Sequence, residues 1–265
     1  MIFRSQLAAQ ESRGAVSEAF AAIAETQQKA AVSDWYVTQP DHGRISGELA
    51  AALDSRKVPN LSRAVVRAIA LHDMGWMPYD GDVTAPRAPT KLESGVAVSF
   101  ANTEPERFLP AWLGSIQAAQ SAGQLGGLIV SAHFARLTRP YLESGKGTPE
   151  QRAQVSQFLL REAARVERLL PQAGLPLEEI EALIAVLQFC DLASLYLCAN
   201  PAAPVELPQK FQGSLLDGGR VQFCFERGAY RMRPNLLDHV LVLEIPCVRF
   251  VDGKTEREMV PVKVQ

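Results

Sequence analysis

The chain lacks a surplus of charge of either sign. Lys and Arg total 27 against 29 Asp and Glu, a formal net charge of −2 over 265 residues. Without a basic excess there is no electrostatic footprint for a general nucleic-acid partner. A small phosphorylated ligand is still allowed, because a pocket needs only a few cations. The chain also lacks an uninterrupted apolar run of about 18–20 residues, the length of a membrane span. The N-terminus, Met1-Ile-Phe-Arg-Ser-Gln, does not have the basic-then-apolar pattern of a secretory signal. No membrane partner is expected, and the cytoplasm is the default location. Neither a monomer nor a homo-oligomer is specified.

Thiol chemistry is sparse. Cys190, Cys198, Cys224 and Cys247 show no Cys-x-x-Cys spacing and lie in apolar or strand-like runs. They read as buried, reduced thiols serving as small hydrophobes. Internal repeats and low-complexity tracts are absent. With 47% hydrophobic and 21% charged residues, the composition is that of an ordinary globular protein able to build a sizeable core.

Two regimes divide the chain. To about residue 200, Ala, Leu, Glu, Gln and Arg dominate and the pattern is helical. Helices are expected near residues 8–31, 43–54, 61–76, 105–121, 124–138, 149–171 and 177–199. Ser62, Thr148-Pro149 and Pro176 mark starts. Residues 77–104, with Pro78, Pro86 and Pro89, predict a long irregular connection, and such a loop in a compact domain is usually functional. After the Pro-rich stretch ending at Pro208 the pattern alternates. Residues 221–227, 240–245 and 248–251 read as strands, with turns at Asp217-Gly-Gly, Arg227-Gly228 and Asp252-Gly-Lys254. The expected organisation is a mainly α body over residues 1–208, with a small antiparallel β-rich C-terminal extension, residues 209–265, packed on it.

Against this background a few polar residues stand out. His72 and Asp73 interrupt the apolar run Ala68–Trp76. His42 lies in Gln39-Pro-Asp-His-Gly43, His133 in Leu128–Phe134 and Asp191 in Ala185–Leu192. Burying an imidazole or a carboxylate is costly unless something compensates it. Taken singly, each has an ordinary explanation as a cap, a satisfied core histidine or an ion-pair partner. Five such intrusions on four separate helical segments have a simpler common cause, a shared metal centre of the kind that helical bundles build in their cores. Three imidazoles and two carboxylates suit Fe, Mn, Zn or Co better than Ca²⁺. The absence of thiolates argues against a closed structural zinc site. His239, in Leu236-Leu-Asp-His-Val240, reads as a surface or strand-end residue.

The order His42, His72-Asp73, Asp191 resembles the H…HD…D signature of the HD-domain metal-dependent phosphohydrolase superfamily. More narrowly, Thr38-Gln-Pro-Asp-His42 with His72-Asp-Met-Gly-Trp76 is similar to an HD-related family of unassigned activity. The resemblance covers roughly residues 35–200. It implies an HD-domain-like helical bundle with His42, His72, Asp73 and Asp191 as ligands of a first divalent transition metal. His133 falls where some members place a further histidine for a second metal. The chain offers only this one, so a complete second site is not expected, and His133 is alternatively a proton donor or a phosphate ligand.

The resemblance implies a hydrolase of a small phosphorylated substrate, a nucleotide being one candidate, with a metal-bound water as nucleophile. Asp73 would orient that water, and His133 would protonate the leaving group. Arg44, Lys91 and Arg136 are the candidate substrate cations. Trp76 and Tyr79 are candidate pocket walls, and Gln39 and Asp41 candidate partners fixing the His42 ring. Two other readings remain: an iron-dependent oxygenase or lyase on the same frame, and a non-catalytic module that senses a metal or ligand.

Overall fold

The structure is a computed structural model and describes residues 1–5, 11–29, 35–92, 97–209 and 220–265. Its helices are α1 (Ala19–Lys29), α2 (Gln39–Ala51), α3 (Arg63–Ala70), α4 (Met77–Asp80), α5 (Pro105–Gln120), α6 (Gln124–Glu143), α7 (Pro149–Leu169) and α8 (Leu177–Ala199). The strands are β1 (Ile2–Phe3), β2 (Ser17–Glu18), β3 (Tyr36–Val37), β4 (Val205–Leu207), β5 (Val221–Glu226), β6 (Ala229–Arg233), β7 (Leu241–Val251) and β8 (Lys254–Val264).

The mainly helical class holds, but the sheet is neither small nor purely antiparallel. It has eight strands in the order β1-β3-β7-β8-β6-β5-β4-β2, with parallel pairs at β6–β8 and β2–β4. Three of its strands come from before residue 40. Each is only two residues long, too short for any alternation to show in sequence. Two expected strands, 240–245 and 248–251, are one continuous β7 running through Pro246, which pairs with Met259. The turns at Arg227-Gly228 and Asp252-Gly253 have positive φ at both residues, 51° and 74° in the first and 49° and 74° in the second. That geometry closes tight two-residue hairpins whose twist matches the strands. The expected turn at Asp217 lies outside the described residues, as do residues 8–10 and 30–31 of the first expected helix.

One hydrophobic core joins helices and sheet. It runs from Ile45 and Leu49 on α2 through Leu187 and Phe189 on α8 to Phe223, Ile245 and Val262 on the strands. At its centre is α8. This helix is long and apolar enough to cross a membrane by length and composition, yet 78% of its most apolar window is buried within the protein. Its apolarity all round is that of a helix covered on every side. Arg4, itself buried, donates to the Leu197 and Cys198 carbonyls at 2.5 and 3.0 Å. It thereby satisfies carbonyls at the C-terminal end of α8, where positive charge is favoured. Asn200 follows in the left-handed conformation, and its Oδ1 accepts from the Tyr230 hydroxyl at 2.7 Å.

Candidate metal centre

The helix boundaries decide where the ligand atoms point. Thr38 caps α2, its hydroxyl accepting from the Asp41 amide at 3.2 Å, and Pro40 sits in the first turn. The helix therefore starts at Gln39, four residues before the expected position, and His42 lies within its first turns. Helix α3 stops at Ala70 rather than continuing to residue 76. This removes a difficulty, because neighbours on a regular helix diverge by about 100°. In the turn that follows, Asp73 takes φ −115° and ψ 15°, so His72 and Asp73 both face the same interior space.

Small residues let these segments close up. A Cβ on Gly47 would lie 2.5 Å from the Ala70 Cβ, and one on Gly43 would lie 2.9 Å from the Ala70 carbonyl. The turn after Asp73 is packed more tightly still. A Cβ on Gly75 would lie 1.9 Å from the Ala111 carbonyl oxygen on α5. The Gly75 amide donates to the Ser115 hydroxyl at 3.0 Å.

All five residues singled out in the sequence converge. His42, His72 and Asp191 form a cluster whose ligand atoms all lie within 4.8 Å of one another. His42 Nε2 is 3.0 Å from Asp191 Oδ1, and His72 Nε2 is 3.4 Å from the same oxygen. Asp73 Oδ2 stands 3.6 Å from both imidazole Nε2 atoms. His133 approaches from α6, with Nε2 3.6 Å from the other Asp191 oxygen. The imidazoles are buried to 2% exposure or less, while the side chains of Asp73 and Asp191 retain 9% and 14%. Solvent meets the cluster on its carboxylate side.

The donor set fits a divalent cation. His72 Nδ1 donates to the Ile69 carbonyl at 2.8 Å, so in the neutral ring its Nε2 carries the lone pair. That atom is buried and has no hydrogen-bond partner. A buried acceptor left unmet in a polar cluster is costly; a cation meets it. Electrostatics leads to the same requirement, since two buried carboxylates need positive charge among them. Burial disfavours a charged His72, but Asp73 and Asp191 outweigh it and raise its pKa to about 9. Burial likewise opposes ionisation of Asp191, yet His42 and His72 hold its carboxyl well below the usual range. Burial pushes Asp73 up, against the charges of His72 and His42. His133 is pushed down to about 4, chiefly by burial, so it stays neutral. The positive charge that the carboxylates require is a proton on His72 or a cation held between the side chains.

The expected substrate cations lie outside this tight group. Arg44 on α2 pairs with Glu48 and donates to the Glu244 carbonyl of β7 at 3.1 Å. Arg136 pairs with Glu181 of α8. Lys91 is exposed and bridges to Ala97 in the long connection. Trp76 is buried against Phe108, Ala111 and Val155, with Tyr79 at its edge. His239 is exposed beside Asp238.

The expected partners of the His42 ring are corrected. Asp41 Oδ2 instead accepts from the Thr38 hydroxyl at 2.7 Å and the Val83 amide at 2.8 Å, tying the long connection to α2. The amide of Gln39 donates to Asp80 at 3.3 Å. The group that meets His42 Nδ1 is Ser194, at 2.8 Å, with Ser46 behind it at 2.7 Å. Both serines had a positional signal in the sequence. Ser46 follows His42 by one helical turn, and Ser194 follows Asp191 by one turn.

Fold and site together define a mainly helical protein with a mixed sheet, carrying a buried histidine–aspartate cluster that could hold a metal ion. A family described as protein of unknown function, DUF3891, matches residues 25–240, and the chain belongs to it. No curated protein and no solved structure matches the chain.

Proposed function

We propose that this protein is a metal-dependent hydrolase of a small phosphorylated substrate, with nucleotides among the candidates. One observation carries the reading: the buried, unpartnered Nε2 of His72 faces two carboxylates and a second imidazole at ligand spacing. The order of these residues in the chain, with its resemblance to HD-domain phosphohydrolases, supports the choice of reaction class.

His42, His72 and Asp191 would hold the cation, with Asp73 beside them. A divalent cation there supplies Lewis acidity, polarising a phosphoryl oxygen and lowering the pKa of water. Asp73, reaching solvent more than the imidazoles do, orients the attacking water through its carboxylate. Held neutral, His133 hydrogen-bonds a phosphoryl oxygen or the leaving group rather than attracting it by charge. Arg136, on α6 with His133, supplies longer-range positive charge toward a phosphate.

The test is elemental analysis of protein purified without chelator or affinity metal, for wild type and Asp73→Ala and His72→Ala variants. It is followed by a phosphomonoester and nucleotide panel with Mn²⁺, Co²⁺, Zn²⁺ and Fe²⁺. The expected result is about one equivalent of a first-row metal in wild type, lost in the His72 variant, with turnover of at least one phosphate ester. Metal bound without turnover of any phosphate would overturn the hydrolase and favour the sensing module. Oxygen consumption dependent on iron would favour the oxygenase.

A further inference from the structure

We propose that Ser194 is a positioning residue that fixes the His42 imidazole with its Nδ1 protonated and its Nε2 lone pair turned into the cluster. The inference rests on the metal-centre reading and adds to it a residue with no ligand atom of its own.

Ser194 is fully buried on α8, one turn beyond Asp191. Its Oγ makes three polar contacts: His42 Nδ1 at 2.8 Å, Ser46 Oγ at 2.7 Å and the Asp191 carbonyl at 2.9 Å. Ser46 Oγ in turn lies 3.2 Å from the His42 carbonyl. The tautomer follows from where a cation needs the lone pair and from what can take up the ring proton. The two carbonyls only accept, and each hydroxyl brings one proton. If His42 Nδ1 is bare, two protons serve these four contacts. If Nδ1 carries hydrogen, three protons serve them: the imidazole donates to Ser194 and the two hydroxyl protons pass on within the chain. His42 Nε2 also lies 3.0 Å from Asp191 Oδ1, a contact that the bare-Nδ1 form meets with its own proton. A cation shared by His42 and Asp191 takes the place of that bond, which leaves Nδ1 to carry the imidazole proton and Ser194 to accept it.

The consequence reaches the cluster. With Nδ1 protonated, Nε2 presents its lone pair 3.0 Å from Asp191 Oδ1 and 3.6 Å from Asp73 Oδ2. His72 is fixed in the same tautomer by the Ile69 carbonyl. The two imidazoles are thus held ready by unlike devices, one by the backbone of its own segment and the other by a hydroxyl pair spanning α2 and α8. Because Asp191 and Ser194 share one helix face, Ser194 also locks the orientation of His42 relative to the carboxylate that shares its ligand site. Groups that orient a metal-binding imidazole in this way typically contribute 10–100-fold to metal affinity.

The experiment is a Zn²⁺ titration against a competing chelator of wild type, Ser194→Ala and Ser46→Ala. Alongside it, ¹⁵N-resolved spectra of the histidine rings are recorded in the zinc-loaded protein. The inference expects wild type to show a His42 Nδ1–H slow to exchange. It expects Ser194→Ala to lose that signal and bind Zn²⁺ about 10–100-fold more weakly, with Ser46→Ala shifted less in the same direction. A Ser194→Ala protein with wild-type affinity and an unchanged Nδ1–H overturns the inference while leaving the metal centre standing. Wild type that binds no Zn²⁺ overturns the metal-centre reading and the inference with it. Should Ser194→Ala fail to fold, Ser46→Ala decides: faster Nδ1–H exchange supports the relay, and an unchanged signal overturns it.

Discussion

Replacing Gly75 by alanine adds one methyl group where the His72-Asp73 turn crosses α5. The new Cβ would sit 1.9 Å from the Ala111 carbonyl oxygen and 2.5 Å from the Ser115 amide nitrogen. Both are backbone atoms of a helix and cannot rotate away. Ordinary contact begins near 3.4 Å, so turn and helix must separate by about 1.5 Å. Overpacking of this kind costs roughly 1–3 kcal/mol. The shift also breaks the 3.0 Å hydrogen bond from the Gly75 amide to the Ser115 hydroxyl, about 1 kcal/mol more. Alanine's stiffer unfolded chain returns roughly 0.4–1 kcal/mol. The net loss is about 1–4 kcal/mol, or a melting-temperature fall of roughly 2–16 °C for a domain this large. Asp73 moves with the turn, so Zn²⁺ affinity falls in the same variant. Thermal unfolding and a Zn²⁺ titration read both effects. Gly127→Ala is the control, because its Cβ comes no nearer than 3.0 Å to its closest neighbour, the Gln120 side chain, and should cost much less. A Gly75→Ala protein that melts within about 1 °C of wild type would refute the reasoning.

Three further outcomes follow from other parts of the fold. All four cysteines are buried, and burial raises every thiol, Cys224 and Cys247 to about 11. A raised thiol pKa means negligible thiolate at pH 8, so iodoacetamide should leave the native protein unmodified and label four sites once it is unfolded; rapid native labelling of Cys190 would contradict the placement of α8. Substituting Arg4 by Ala strands the Leu197 and Cys198 carbonyls that it satisfies and should cost about 2–4 kcal/mol in urea unfolding, given charged donors; a change below 0.5 kcal/mol, on the order of an exposed side chain's contribution, would show the contact to be dispensable. Ending the chain after Pro208 removes β5 to β8, uncovering Phe189 and Tyr196, whose rings pack on Phe223 at 6.4 and 5.8 Å between centroids. The truncated protein should bind a hydrophobic dye and unfold without cooperativity, and a sharp melting transition would mean that the helical part folds alone.

What could be read from the sequence follows from how much each feature contrasts with its surroundings. His72, Asp73, His133 and Asp191 show because an ionisable side chain inside an apolar run needs compensation, and the structure brings them together with His42. Ser46 and Ser194 escape notice because serine is ordinary in a helix, although Ser194 meets the imidazole that Gln39 and Asp41 were expected to orient and Ser46 stands behind it. Their only mark is position, one turn beyond His42 and Asp191. The sheet divides in the same way. Its C-terminal hairpins announce themselves through Arg227-Gly228 and Asp252-Gly253, while β1, β2 and β3 are two-residue pieces with no period to detect. That loss bears on the site. The backbone of β3, paired with β7 through Tyr36 and Val248, leads straight into the Thr38 cap of α2. The sheet therefore sets where α2 begins, and α2 delivers His42. Sequence pattern picked out the side chains of the candidate metal cluster, but the long-range pairing that aims one of them is written in residues too few to form a pattern.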